Sequence, residues 1–174
     1  MTFEQVKSQD QAYILPTYGR VDAALVKGRN ARAWDVDGKE YIDFTAGIGV
    51  NALGYSDPEW VQAVAGQAGA IQHLCNYYYS PENTALAQEL SQASGMAKAF
   101  FCNSGAEANE CAVKIARKYG EKRGAYKIVT LNNSFHGRTI TTLTATGQDV
   151  FPNYFFPFTE GFRYADANDL ASLE

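Results

Sequence analysis

Two short stretches hold the residues best suited to chemistry. The first is FFCNSGAEAN, residues 100–109, where an apolar run gives way to Ser104-Gly105-Ala106 at the opening of a helical pattern. The first amides of a helix have no acceptor within it, and the helix dipole adds positive potential, so such a start can hold an anion. Gly105 has no Cβ to keep a phosphate off the backbone, and Ser104 can add a hydroxyl. Ser104 as a plain N-cap and Gly105 as a plain turn residue explain the same letters, and from this segment alone that plainer reading has the better claim. The second stretch is NSFHGRT, residues 133–139. Phe135 can stack on a flat ring, and Arg138 can grip a carboxylate through two parallel hydrogen bonds. Core packing for Phe135 and a surface ion pair for Arg138 stay open, and for His136 a structural hydrogen bond is preferred over catalysis.

These residues need a frame, and the sequence suggests one. AKAFFCN reads as a strand, SGAEANECAVKIARKYG as a helix, AYKIVTLNN as a buried strand, and SFHGRTITTLTATG as a turn into another helix. Ala112, Ile115, Ala116 and Tyr119 fall on one face of the first helix, with Gly120 as its stop and acidic and basic residues placed as the dipole favours. The rhythm β-α-β-α predicts an α/β layer with a parallel sheet. Ligands of open α/β sheets bind at the carboxyl ends of the strands, which puts Phe135, His136 and Arg138 on one rim with Ser104-Gly105-Ala106.

Upstream, residues 1–20 read as a lead-in arm. ALVKG, ARAWDVDG and KEYIDF read as short strands, with a hairpin at Asp37-Gly38. The glycine-rich TAGIGVNALGYSDP must be loop; Gly54 comes too late after Gly47 and Gly49 for a dinucleotide fingerprint, and no helix opens there, which argues against a Rossmann NAD site. Asp57 and Pro58 open a helix to about His73, and a second runs from Pro81 to about Ala93, with Leu86 and Leu90 on one face and Gly95 past its end. The division is then an N-terminal arm and strand segment, 1–57, followed by part of a larger α/β domain, 58–174. Asp169 can cap a helix opening in DANDLASLE with Leu170 and Leu173 on one face, so the chain reads as truncated.

The 174 residues are 46% hydrophobic and 20% charged, with a net charge of −4, the balance of a globular domain without a nucleic-acid surface or polybasic membrane patch. No apolar run approaches the roughly 18 residues of a membrane span, and the polar start lacks the core of a secretory signal. Cys75, Cys102 and Cys111 have no metal-ligand spacing, so no metal is expected; they suit reduced thiols in the cytoplasm, each as a small core residue.

The combination of NSGAEANE, SFHGRT about 30 residues later, and WDVDGKEYIDFTAGIGVNALGY upstream resembles the class III aminotransferases of the fold-type I pyridoxal-phosphate family, from about residue 10 onward. Within it, HLCNYYYSPENTALAQEL looks most like enzymes acting on N-acetylornithine, with succinylornithine, ornithine and 4-aminobutyrate enzymes as relatives. The resemblance implies the N-terminal portion of the large domain of that fold and a pyridoxal 5'-phosphate cofactor. Its phosphate would rest on Gly105 and Ala106, with Ser104 beside them, and Phe135 would stack on its ring. Arg138 would bind the substrate α-carboxylate, and Asn51 would lie near the substrate. It further implies a homodimer, with Tyr77, Tyr78 and Tyr79 serving the partner subunit, and exchange of an amino group with 2-oxoglutarate in arginine biosynthesis. The family's Schiff-base lysine is expected beyond Glu174, since none of the eight lysines stands in its motif, and the chain alone is expected to be inactive. A non-catalytic module binding phosphate or a partner chain is the alternative of another class.

Overall fold

The computed structural model describes residues 1–150 and 154–173, and the chain divides into two compact units, Met1–Ser80 and Pro81–Glu174. In the first unit the stretch expected as an arm contains helix α1, Phe3–Tyr13. Its start is a reciprocal capping box: Thr2 Oγ1 accepts from the Gln5 amide while Gln5 Oε1 accepts from the Thr2 amide at 2.9 Å. Strands β1 (Leu25–Arg29), β2 (Arg32–Asp35) and β3 (Glu40–Ile42) follow as an antiparallel meander in that order, as the hydrophobic pattern predicts.

Two aspartates organise what comes next. The β2–β3 turn passes through Gly38 at φ +84°, and the Asp35 carboxylate accepts from the amides of Asp37 and Lys39 at 3.1 and 2.8 Å and from the Tyr41 hydroxyl at 2.7 Å. The Tyr41 bond is the main reason the Asp35 carboxyl titrates below its ordinary range. Asp43 ties down the start of the glycine-rich loop. It accepts from the Thr45 hydroxyl and amide at 2.6 and 2.7 Å, from the Ala46 amide at 3.2 Å, and from the Tyr55 hydroxyl at 2.8 Å. These bonds, the Thr45 hydroxyl foremost, lower its pKa to about 2. Helix α2 (Pro58–Ala70) opens with Asp57 accepting from the Trp60 amide at 2.9 Å. It stops at Ala70 rather than near His73, because Ile71 turns extended and closes its amide on the Gln67 carbonyl.

In the second unit α3 (Pro81–Ser94) ends against Gly95 at φ +72°, and α4 spans Gly105–Gly120. The expected strand at residues 97–103 does not form: among the described residues no backbone pairs with it. An apolar run becomes a strand only beside a neighbour that completes its hydrogen bonds. Strand β4 (Ile128–Leu131) pairs in parallel with β5 (Phe162–Ala165), Ile128 opposite Phe162 and Leu131 opposite Ala165, and helix α5 (Ile140–Ala145) lies between them in sequence. The parallel sheet was expected, but β5 was not read from the sequence. The helix expected to grow out of SFHGRT is shorter than predicted, since residues 134–139 form a loop and Thr139 caps α5 in a box with Thr142.

Leu143, Ala145, Phe162 and Ala165 form the buried apolar centre, with Thr142, Thr144 and Thr146 buried among them. Thr144 and Thr146 return their hydroxyl protons to the carbonyls of Ile140 and Thr142, at 2.7 and 2.9 Å, so their burial is compensated. Ala112, Ile115, Ala116 and Tyr119 share one face of α4 as expected, and that face is exposed, while Ala106, Asn109, Glu110, Val113 and Arg117 form a half-buried stripe. Hydrogen-bonding side chains set this orientation, with Asn109 reaching His136 and Arg117 reaching the carbonyls of Tyr126 and Glu160. The cysteines are likewise not core residues. Cys75 and Cys102 are exposed and Cys111 half-buried, the first two lying in segments without regular structure. At the end of the chain Asp169 Oδ1 accepts from the Ala171 amide at 3.0 Å and opens a 3-10 turn, Ala171–Leu173; the expected helix beyond it reaches Glu174, outside the described residues.

Candidate functional site

The opening of α4 is a capped helix start with two donors left over. Ser104 Oγ accepts from the Glu107 amide at 3.2 Å, and the Glu107 carboxylate reaches back to the Asn103 amide at 2.6 Å. That satisfies the Glu107 amide and turns the carboxylate toward Asn103. The amides of Gly105 and Ala106, the first two of the helix, have no acceptor among the described residues. A Cβ built on Gly105 would meet nothing within 4 Å. Two convergent amides, a dipole and open space are what an oxyanion needs, and the Ser104 hydroxyl proton, not used in the cap, adds a third donor.

The loop 133–139 lies against this helix start. Asn109 Nδ2 donates to the His136 carbonyl at 2.7 Å, and the Thr139 hydroxyl donates to Glu110 Oε1 at 2.5 Å. Gly137, buried at φ +137°, sits so close that a Cβ there would stand 2.7 Å from the Ala106 Cβ and 2.6 Å from Thr142 Oγ1. His136 is held by its neighbours: its amide donates to Thr146 Oγ1 at 3.0 Å, and Nδ1 lies 3.2 Å from Ser134 Oγ. The structural role preferred for it from the sequence fits those bonds. Phe135 is not packed in the core; it is 58% exposed, and the Arg138 guanidinium carbon lies 5.2 Å from its ring centroid. A cation over an aromatic face is held by the ring quadrupole.

Ser104, Gly105, Ala106, Phe135 and Arg138 therefore lie on one rim of the second unit. Asn51 belongs to the first unit, where its amide donates to the Ala46 carbonyl at 2.9 Å and its carbonyl accepts from the Gly54 amide at 2.8 Å. The residues that join helix and loop, Asn109, Glu110 and Thr139, escape a reading that looks for groups touching a ligand. Their signals were present in the ANE that continues the helix and in the T-x-x-T that opens the next. Among the described residues no His, Cys, Asp and Glu cluster could hold a metal, and no helix is long and apolar enough to cross a membrane.

Residues 14–174 match the aminotransferase class-III family, and the chain belongs to it. The more particular likeness is to acetylornithine aminotransferases. The chain is 51% identical to that of Haemophilus ducreyi over its whole length and covers 45% of that protein. It is 45% identical to that of Methanocaldococcus jannaschii, over 95% of the chain and 42% of the relative. Among solved structures, the ornithine aminotransferase of Toxoplasma gondii, reported with partial occupancy of PLP at its active site, superposes with a TM-score of 0.91 at 31% identity, over 99% of this chain and 42% of that one. N-acetylornithine aminotransferase from Stenotrophomonas maltophilia gives 0.73 at 38% identity, over 95% and 39%. The chain thus spans less than half the length of these relatives.

Proposed function

We propose that this chain supplies the phosphate-holding and carboxylate-holding part of a pyridoxal-phosphate aminotransferase that moves the amino group of N-acetylornithine to 2-oxoglutarate, a step of arginine biosynthesis. The observation that carries the reading is the pair of unpartnered amides at Gly105 and Ala106, facing open space beside the exposed Phe135–Arg138 pair. The residues present fit pyridoxal 5'-phosphate. Ser104, Gly105 and Ala106 would take its phosphate, and Phe135 would lie against its ring. When bound, the cofactor supplies an electron sink for bonds at the amino-bearing carbon. The protein's share is to hold and orient: Arg138 would fix the α-carboxylate that donor and acceptor have in common, and Asn51 would stand near the substrate.

The whole protein is inferred to work as a cytoplasmic homodimer, with the exposed Tyr77, Tyr78 and Tyr79 facing the partner subunit. Ornithine as amino donor is the second reading, favoured by the TM-score of 0.91 to an ornithine aminotransferase. Steady-state kinetics of the full-length protein with 2-oxoglutarate and each candidate donor decide between them. N-acetylornithine is expected to give the highest kcat/KM. Arg138→Lys, which replaces a planar fork by a point charge, is expected to lower it roughly 30- to 1000-fold, equivalent to roughly 2–4 kcal/mol. An unchanged kcat/KM removes Arg138 from the carboxylate site.

A further inference from the structure

We propose that Asn109 and Glu110 are positioning residues: they fix the Phe135–Arg138 loop to the start of α4 and so set the distance between the carboxylate grip and the anion-holding amides. The inference rests on the reading of Arg138 and the Gly105–Ala106 amides given above. Ala106, Asn109 and Glu110 stand at i, i+3 and i+4, one face of α4. Each meets a different residue of the loop: Ala106 lies against Gly137, Asn109 donates to the His136 carbonyl, and Glu110 accepts from Thr139. The loop is thus held at 136, 137 and 139, and the Arg138 guanidinium carbon lies 5.2 Å from the Phe135 ring centroid.

The bond to Glu110 also settles the Thr139 hydroxyl. A hydroxyl has one proton and two lone pairs, and an ionised carboxylate can only accept. With its proton directed to Glu110, Thr139 Oγ1 is left to accept from the Thr142 amide at 3.1 Å and from the Thr142 hydroxyl at 2.8 Å. Thr142 Oγ1 in turn accepts from the Thr139 amide at 3.1 Å. One carboxylate on α4 therefore orders the cap of α5, and that cap is the residue after Arg138. Removing Glu110 frees the hydroxyl to rotate; removing the Asn109 amide leaves the His136 carbonyl without its donor. Neither residue needs to touch a ligand for this.

The test compares Asn109→Ala, Glu110→Ala, Glu110→Gln and Arg138→Lys in the full-length protein. It reads KM and kcat for N-acetylornithine, pyridoxal-phosphate affinity, and hydrogen exchange of the 136–139 amides. Both alanine variants are expected to raise KM about tenfold, with kcat and cofactor affinity changed by less than about threefold, and to speed exchange at His136 and Thr139. Glu110→Gln keeps a carbonyl that accepts from Thr139 and is expected to stay within about twofold of the parent. If Arg138→Lys raises KM but the alanine variants do not, the positioning role falls and the function stands. If Arg138→Lys leaves KM unchanged too, the reading of the site itself falls. Equal losses in Glu110→Ala and Glu110→Gln, spread over kcat, KM, cofactor affinity and thermal stability, would mean that Glu110 serves only the fold; the inference would then be wrong. Should Asn109→Ala not fold, the Glu110 pair decides alone.

Discussion

Replacing Gly137 by alanine introduces one methyl group at the place where the loop meets the helix. At φ +137° a residue with a Cβ is strained, at a cost of about 1–3 kcal/mol. The new carbon would stand 2.6 Å from Thr142 Oγ1, 2.7 Å from the Ala106 Cβ and 3.0 Å from the Thr142 Cβ. None of these can swing away as the end of a flexible chain could: Ala106 is fixed to the helix start, and Thr142 is 1% exposed with its hydroxyl in the α5 cap. Overpacking of this kind costs about 1–3 kcal/mol, and the stiffer unfolded chain returns about 0.4–1 kcal/mol. The net expectation is a loss of about 1–6 kcal/mol, or a loop moved away from Ala106 to avoid it. Urea unfolding of the full-length protein measures the first, and the KM for N-acetylornithine reports the second, because a displaced loop carries Arg138 with it. Gly105→Ala is the matched control. Its Cβ would meet nothing within 4 Å and its φ is not positive, so stability should stay within about 1 kcal/mol of the parent, while pyridoxal-phosphate affinity should fall because the methyl occupies the space beside the amides. A Gly137→Ala protein as stable as its parent with an unaltered KM would refute this account of the loop.

Ser104→Ala should cost about 1 kcal/mol in unfolding free energy through loss of the α4 cap, and should also weaken pyridoxal-phosphate binding if the hydroxyl proton serves the phosphate; a cost in stability alone would assign Ser104 to the cap only. Asp43→Asn should change how the first unit responds to acid. The folded pKa of about 2 lies below that of a free carboxyl, so the folded state binds fewer protons between about 2 and 4, and the stabilisation, present above that range, is lost as pH falls through it. The parent should therefore lose stability more steeply than Asp43→Asn over pH 4 to 2 in acid titration followed by circular dichroism, and superimposable slopes would contradict the role given to the Thr45 and Tyr55 bonds.

Much of the frame is legible in the letters because it is written locally. Asp37-Gly38, Asp57-Pro58, Gly95 and Ser104 each mark a boundary through the conformation or hydrogen bond of that one residue, and the boundaries stand where those residues predict. What is set at a distance is less legible. The apolar run at 97–103 has the composition of a strand, but strand formation depends on a backbone elsewhere. The apolar face of α4 is visible in the sequence, but the half-buried stripe holds Asn109 and Arg117, whose partners are carbonyls 27 and 43 residues away. Strand β5, in GFRYAD, is too short to stand out and takes its identity from its register with β4. The helix α1 was signalled by Thr2 and Gln5 but masked by a polar composition. For the site, residue types marked Ser104, Gly105, Phe135 and Arg138 as candidates and left plainer readings open; their roles, and that of Ala106, came from the resemblance. Their joining through Asn109 and Glu110 depends on the turn made at Gly137, which no residue type reveals.

The central claim, that the amides of Gly105 and Ala106 receive the cofactor phosphate, is tested most directly by a crystal structure of the full-length protein grown with pyridoxal phosphate. Phosphate oxygens are expected within hydrogen-bond distance of both amides, with the Phe135 ring against the pyridine and the Arg138 guanidinium facing the substrate space. An ordered α4 start with the cofactor phosphate bound elsewhere would contradict it.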